Sequence, residues 1–503
     1  MFSRRYIIKG LLALAVTFLL LQFVGFKMFM DKAEQRFDSS PWGVTKRFLE
    51  TCNTMHLPVF VAEPSLLRAL RAGGESALDL WNLGRYSVVT FGAIEASVNE
   101  LHAVLNKMDN FLHLGITSPD PRHMSLESAQ NYRTFPSHYF LWRQNSAAPV
   151  IHLVLFYRRG DYLWHAAAVN PKSIRPPINA SRLTVGKHAG AMERFSILKD
   201  KVRGLEISFP DDISGFVHSL QHSKFIECDY PRARHFFMTA GKKTKQDMPE
   251  FKRTARQLLS VVTKVMDSME VPFWISSGTC LGWYRQCDII PYSKDVDIGI
   301  MIKDHREEMV TALEQSGLQL VQLFGKESDS LELSFMYSGV KLDIFFFYDE
   351  EYYVWNGGTQ ASTGKKFKYI FPKFSLAWTQ FLGLKVRVPD PPLPYIEANY
   401  GQNWDIPVQH WDWKKSPPNV IPNGEWPEKE RDEVIQLFEI EEEKEKDNEE
   451  EKKKDNDKEK KNDDKEKKDD DKEKKENEVN KKGYEEQKKK DNNNKDTKKS
   501  GLR

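Results

Sequence analysis

The chain has 503 residues, enough for two ordinary domains with sizeable cores, and 29% of them are charged. The last stretch, 439–503, distorts that figure: it holds 23 Lys/Arg and 25 Asp/Glu, and the rest of the chain carries a net charge of +4 with about 22% charged residues, close to the globular average. Neither part is basic enough for nucleic-acid binding to be the main activity.

At the N-terminus "GLLALAVTFLLLQFVGF", Gly10 to Phe26, has Thr17 and Gln22 as its only polar side chains. With Ile7, Ile8, Met28, Phe29 and Met30 it approaches the roughly 20 residues needed to cross a bilayer. Arg4, Arg5 and Lys9 precede it and keep the short N-terminus cytosolic. The following "GFKMFMDKAEQRF" has no convincing small-x-small cleavage site, so residues 1–30 read as a cytosolic N-terminus and signal anchor rather than a cleaved signal peptide. The expected protein is a single-pass type II membrane protein in contact with the lipid bilayer through this helix, with everything after about residue 31 in the secretory lumen.

Residues 31–47 read as a stem and 48–245 as an α/β domain. "LPVFVA" is strand-like and "SLLRALRA" helical, while "VIHLVLFYRRGDYLWHAAAV" reads as a hairpin turning at Arg159–Asp161. The RGD triplet there is read as turn residues rather than as an adhesion ligand. Asn179, in "NAS", is a glycosylation sequon that fits lumenal exposure. No catalytic constellation emerges in this domain. The four cysteines show no C-x-x-C pair, which argues against a zinc site; a Cys280–Cys287 bridge and buried free thiols both fit.

The second domain, 246–438, has a clearer pattern. "FKRTARQLLSVVTKVMDSM" sets Leu258, Leu259, Val262, Val265, Met266 and Met269 at helical spacing. A short strand "FWIS", a turn "SGT" and a short helix "CLGWYR" follow, then the strand "DVDIGIMI", the helix "DHREEMVTALEQSG" and three strand-like runs, "LQLVQLF", "LELSFMY" and "GVKLDIFFFY". This order suits a mixed sheet covered by helices.

Three features of that domain carry chemistry. Asp295 and Asp297, two apart at a strand entrance, point to the same face. Asp343 interrupts another strongly apolar strand, where an unpaired carboxylate is costly. Gly278 and Thr279 sit at a strand-to-helix turn whose N–H groups suit a phosphate, and Arg285 adds a positive contact. Carboxylate and phosphate oxygens together suit a divalent metal, Mg²⁺ or Mn²⁺. Further on, Trp404, Trp411 and Trp413 in "NWDIPVQHWDWKKSPPN" either stack on sugars or pack a core or lid. The tail, 439–503, holds only Ile440, Val479, Tyr484 and Leu502 as larger apolar residues and reads as disordered.

"SSGTCLGWYRQCDIIPYSKDVDIGI" resembles the signature segment of the LicD-like nucleotidyltransferase-fold family, which includes bacterial phosphorylcholine transferases and the fukutin-related protein. The likeness runs through "VKLDIFFFY" to "YIEANYGQNWDIP", where Tyr400, Gly401 and Trp404 resemble a family Y-G-x-x-W segment, and with the anchor it covers residues 1–438. It implies an α/β fold with a membrane anchor, an N-terminal α/β domain and a nucleotidyltransferase-like mixed-sheet catalytic domain, ahead of the disordered charged tail read from composition. It further implies a Golgi enzyme that transfers ribitol 5-phosphate from CDP-ribitol to an O-mannosyl glycan hydroxyl of α-dystroglycan, releasing CMP, beside other Golgi glycan-building enzymes. On this resemblance Asp295 and Asp297 carry the metal, and Asp343 is a third ligand or the base that accepts the hydroxyl proton.

Three departures stand out. Ser293 takes a position where relatives are expected to be acidic, which leaves one metal or two open. The zinc-holding cysteine cluster of the fukutin-related protein is absent, and the charged tail is unexpected. Two other readings of the same residues are a D-x-D metal-dependent glycosyltransferase and a non-catalytic, membrane-anchored partner of glycan-building enzymes.

Overall fold

The apolar N-terminal run forms the helix Arg4–Asp38 in a computed structural model that describes residues 4–73, 75–125, 133–143, 148–168, 182–240, 248–408 and 410–439, with 483, 487 and 488 besides. Asn179, the expected glycosylation site, and nearly all of the charged tail lie outside these residues. Within the helix, Leu14–Lys32 spans 19 residues, about 28 Å at 1.5 Å per residue. It is the one helix among the described residues long and apolar enough to cross a bilayer. The helix continues to Asp38, so the first part of the expected stem is helical. Ser40 then caps the helix Pro41–Thr54 by accepting the Gly43 N–H at 3.0 Å.

The N-terminal half is built on a seven-stranded sheet in which Val88–Ile94 runs parallel to Val150–Arg159. The expected hairpin is present: Val150–Arg159 turns through Gly160 and Asp161 into Tyr162–His165. Its RGD triplet therefore supplies a strand end and a turn.

The C-terminal half grows on the helix Pro249–Ser268, whose Leu258, Leu259, Val262 and Met266 are fully buried. They share one core with Val296, Ile298, Ile300, Leu342, Ile344 and Phe346, the back face of a curled nine-stranded sheet. Each such side chain contributes about 1.5–3 kcal/mol by leaving water. The D-x-D strand Asp295–Met301 pairs in parallel with the central strand Val340–Asp349, with Asp297 level with Asp343. On its other side the central strand pairs antiparallel with Asp329–Tyr337, which sets Ser334 level with Asp343. Because strands alternate faces, an apolar back dictates a front row of Asp297, Asp343 and Ser334. Tyr353–Gln360 and Lys365–Pro372 extend the sheet, and Ser375–Phe381 with Leu384–Asp390 forms a separate hairpin.

Two features tie the halves together. The Ile226 N–H donates to Trp378 O at 2.8 Å and the Trp378 N–H to Lys224 O at 2.7 Å, so a segment before the C-terminal half pairs with the late hairpin. Beside it, Arg159 pairs with Glu227 and donates to Gln380 Oε1 at 2.8 Å. The second tie is a disulfide, Cys228–Cys287, with Cα atoms 5.6 Å apart. This corrects the expected Cys280–Cys287 alternative. Cys280 lies within the helix Ser277–Gln286 and Cys287 caps its end, and seven residues along a helix span about 10 Å, too far for a bridge. Cys280 is a buried free thiol, as is Cys52.

Candidate active site

Three carboxylates converge on the front face. One oxygen from each of Asp295, Asp297 and Asp343 lies within 4.8 Å of the others. Each is held separately. Ser293 Oγ donates to Asp295 Oδ1 at 2.6 Å, so the residue that departs from the acidic pattern orients the first aspartate. Thr279 grips Asp297 twice: its hydroxyl accepts the Asp297 N–H at 2.8 Å, and its own N–H donates to Asp297 Oδ2 at 3.4 Å. Ser334 Oγ at 2.5 Å and Lys341 Nζ at 2.8 Å both meet Asp343 Oδ1.

The electrostatics show what this arrangement lacks. Asp297 is 6% exposed, and burial, then the charges of Asp295 and Asp343, push its carboxyl well above the ordinary range. The N–H groups of Thr279 and Gly278 oppose this without cancelling it. Burial also raises Asp343, against the pull of Lys341 and Ser334. Three convergent carboxylates with one ammonium among them fit a hard divalent cation, whose ligands are oxygens.

The helix Ser277–Gln286 frames the site. Gly278 and Thr279 lie in its first turn, and their N–H groups face Asp297 rather than open space. A side chain at Gly278 would put a Cβ 3.4 Å from Asp297 Oδ2 and 3.9 Å from the Tyr400 hydroxyl, so the glycine leaves a gap between them. Arg285, near the helix end, is 2% exposed. Its guanidinium lies 4.6 Å over the Phe236 ring and donates to Gln286 Oε1, with no carboxylate partner within salt-bridge distance among the described residues. Burial lowers its pKa while Tyr292, Tyr400 and Asp405 favour its charge. A buried cation short of an anion remains at the site's edge.

The aromatic residues divide. Trp404 packs edge-on to Tyr284 at 5.1 Å, partly buried against the core. Trp411 lies 5.0 Å from the Tyr400 ring and Trp413 5.4 Å from the Phe367 ring, each 39% exposed. The Tyr369 hydroxyl donates to Trp413 O at 2.8 Å, and Gly358 gives the Trp413 ring room, since a Cβ there would stand 3.2 Å from it.

Ser334, Lys341 and Glu332 were missed in the sequence reading. The signal for Glu332 was present: in "LELSFMY" it breaks an apolar strand on the same alternation as Ser334, and therefore on the face of Asp343.

A carboxylate trio on a parallel strand pair, gripped by the first turn of a helix, defines a nucleotidyltransferase-type centre, and the LicD/FKTN/FKRP nucleotidyltransferase domain model matches residues 270–391. The fukutin N-terminal model matches residues 11–256. The chain is 44% identical over 417 residues to the ribitol-5-phosphate transferase FKTN of Homo sapiens and to that of Macaca fascicularis, covering 80% of this chain and 89% of each relative. An uncharacterised Caenorhabditis elegans protein is 30% identical over 249 residues, 46% of this chain and 61% of its own. The chain belongs to the fukutin family.

Proposed function

We propose that this chain is a membrane-anchored Golgi transferase that moves ribitol 5-phosphate from CDP-ribitol to a hydroxyl on the O-mannosyl glycan of α-dystroglycan, releasing CMP. The observation that carries this reading is the convergence of Asp295, Asp297 and Asp343 within 4.8 Å, in a chain 44% identical to relatives named ribitol-5-phosphate transferase. Arg4 and Arg5 before the apolar helix favour a cytosolic N-terminus. The Cys228–Cys287 disulfide supports a lumenal location for the rest, since such bonds persist in oxidising compartments.

Asp295, Asp297 and Asp343 would hold Mg²⁺ or Mn²⁺, which when bound supplies positive charge against the donor diphosphate. Asp343 acts here as a ligand rather than a base. Its Oδ1 already receives the Ser334 hydroxyl and the Lys341 ammonium, which leaves Oδ2 for a cation and weakens the group as a proton acceptor. Arg285 is the chain's own positive contact for a donor phosphate, and Gly278 keeps the approach to Asp297 open. Holding donor and acceptor in line is the remaining task of the cleft.

The test is transfer of radiolabelled ribitol phosphate from CDP-ribitol to a synthetic O-mannosyl glycan with Mn²⁺, set beside UDP-sugars. Transfer from CDP-ribitol alone is expected. Transfer from a UDP-sugar instead would make the protein a glycosyltransferase, and none from any donor would favour the non-catalytic partner.

A further inference from the structure

We propose that Glu332 is the acceptor-side catalytic residue: its carboxylate receives the acceptor hydroxyl and takes its proton as the new O–P bond forms. The inference rests on the phosphoryl-transfer reading above.

Glu332 lies on the strand Asp329–Tyr337, opposite Phe345 and two residues before Ser334. Paired residues share a face, so Glu332 faces the front, one strand over from Asp343 and about 7 Å further along the strand direction. It is half-buried, as is Phe345 beside it, whereas the back-face neighbours Leu333 and Ile344 are buried. Beyond Glu332 stands Tyr369, whose phenol the Glu332 charge pushes up after burial. The Tyr369 hydroxyl in turn holds the backbone of Trp413. The floor of the front face thus runs from Asp297 through Asp343 and Glu332 to Tyr369 and the half-exposed Trp413. A sugar ring stacked on the half-exposed Trp413 would lie at the Tyr369 end of this face, the end to which Glu332 belongs.

The carboxyl is also free for such work. Among the described residues its one side-chain hydrogen bond accepts from Gln322 Nε2 at 3.4 Å, and no ion pair holds it. A half-buried carboxylate with no cation in ion-pair contact is a costly way to fill a strand position, and Gln or Met would fill it without that cost. Asp343, by contrast, has one oxygen occupied by two donors. Burial, then the Asp343 charge, push Glu332 up to about 8 against the opposing Lys341, near the range where a carboxyl both takes and releases a proton.

In the step itself the acceptor oxygen bonds to the phosphorus that carries ribitol. The bond from that phosphorus to the bridging oxygen breaks, and CMP leaves with the electron pair. The hydroxyl proton passes to a Glu332 carboxylate oxygen and is lost to solvent after the product departs.

The experiment uses the full-length protein in detergent, with two readouts: transfer from CDP-ribitol to the synthetic O-mannosyl glycan, and the melting shift caused by CDP-ribitol with Mn²⁺. Glu332→Gln should lower transfer by a factor on the order of 10² or more while leaving the donor-induced shift at the parent's value. Glu332→Ala should lose transfer too and regain part of it in formate, a small carboxylate that can enter the vacated space. Should the Gln variant fail to fold, the Ala variant and its formate response decide the matter. Transfer within about threefold of the parent in Glu332→Gln, loss of the donor-induced shift, or a folded Ala variant that ignores formate would each overturn the assignment. A parent protein that neither binds nor uses CDP-ribitol would instead refute the functional reading.

Discussion

Asp297→Asn is expected to make the metal-free protein more stable and the enzyme inactive. The carboxylate is buried, with oxygens of two other acids within 4.8 Å. At an effective dielectric of about 20, two unit charges at that separation repel by roughly 3.5 kcal/mol, and Lys341 relieves only the Asp343 side. Against this, the variant weakens the charge-assisted N–H contacts from Thr279 and Gly278, worth about 1.5–3 kcal/mol. The net gain should be about 0.5–2 kcal/mol, or a few degrees of melting temperature. The pH dependence carries a sign. Folded Asp297 keeps its proton to higher pH than the unfolded chain does, so the parent loses stability as pH rises from the ordinary carboxylate range toward the raised folded pKa. Asn cannot show that loss. Melts in chelator at pH 5 and pH 7.5 should therefore find the variant's advantage larger at the higher pH. Adding Mn²⁺ should raise the parent's melting temperature by mass action and leave the variant's nearly still. Transfer should fall by a factor on the order of 10² or more. A variant less stable than the parent in chelator at pH 7.5, or one that keeps the full Mn²⁺ shift, would refute the reasoning.

Trp413→Ala should raise the acceptor KM severalfold with a small change in melting temperature, because the ring is half-exposed; equal losses of stability and activity would mark it as packing. Trp404→Ala, partly buried against the core, should instead lower stability by about 1–3 kcal/mol, read from denaturant melts. Replacing Cys228 and Cys287 together by Ala releases a cross-link between residues 59 apart and should lower stability by about 2–4 kcal/mol; a melt unchanged by the double substitution or by reductant would show that the bridge does not form in the cell. Protease treatment of sealed microsomes should leave the chain beyond residue 31 intact, and its digestion would reverse the proposed orientation.

The carboxylate trio was legible because each acid interrupts an apolar alternation, and such interruptions are costly unless they serve a purpose. Their exact level was not, because the parallel pairing of Asp297 with Asp343 depends on how two strands distant in sequence slide against each other. The two-residue periodicity fixes faces, not partners. The first turn of Ser277–Gln286 was placed correctly but aimed differently: open amides were expected for a phosphate, and the fold turns them onto Asp297. The cysteine pairing could not be read from spacing, since the partner of Cys287 comes from a segment of the other half that only tertiary packing brings near. From Tyr353 to Asp390 the chain forms four strands that the sequence reading left unassigned; only Ser375–Phe381 alternates buried and half-buried positions regularly, while Tyr353–Gln360 has six consecutive buried positions. Mixed Lys, aromatic and Gly content there blunts the contrast between faces.

The pairing of residues 224–226 with the hairpin Ser375–Asp390 has a practical consequence. A catalytic fragment cut at residue 246 would leave behind both Cys228 and this segment, and would expose the Trp378 backbone as an unsatisfied sheet edge, a ready template for self-association. The smallest soluble piece that can be crystallised or screened should therefore start upstream of Lys224. A truncation drawn at the sequence boundary of the nucleotidyltransferase domain would yield aggregate rather than enzyme.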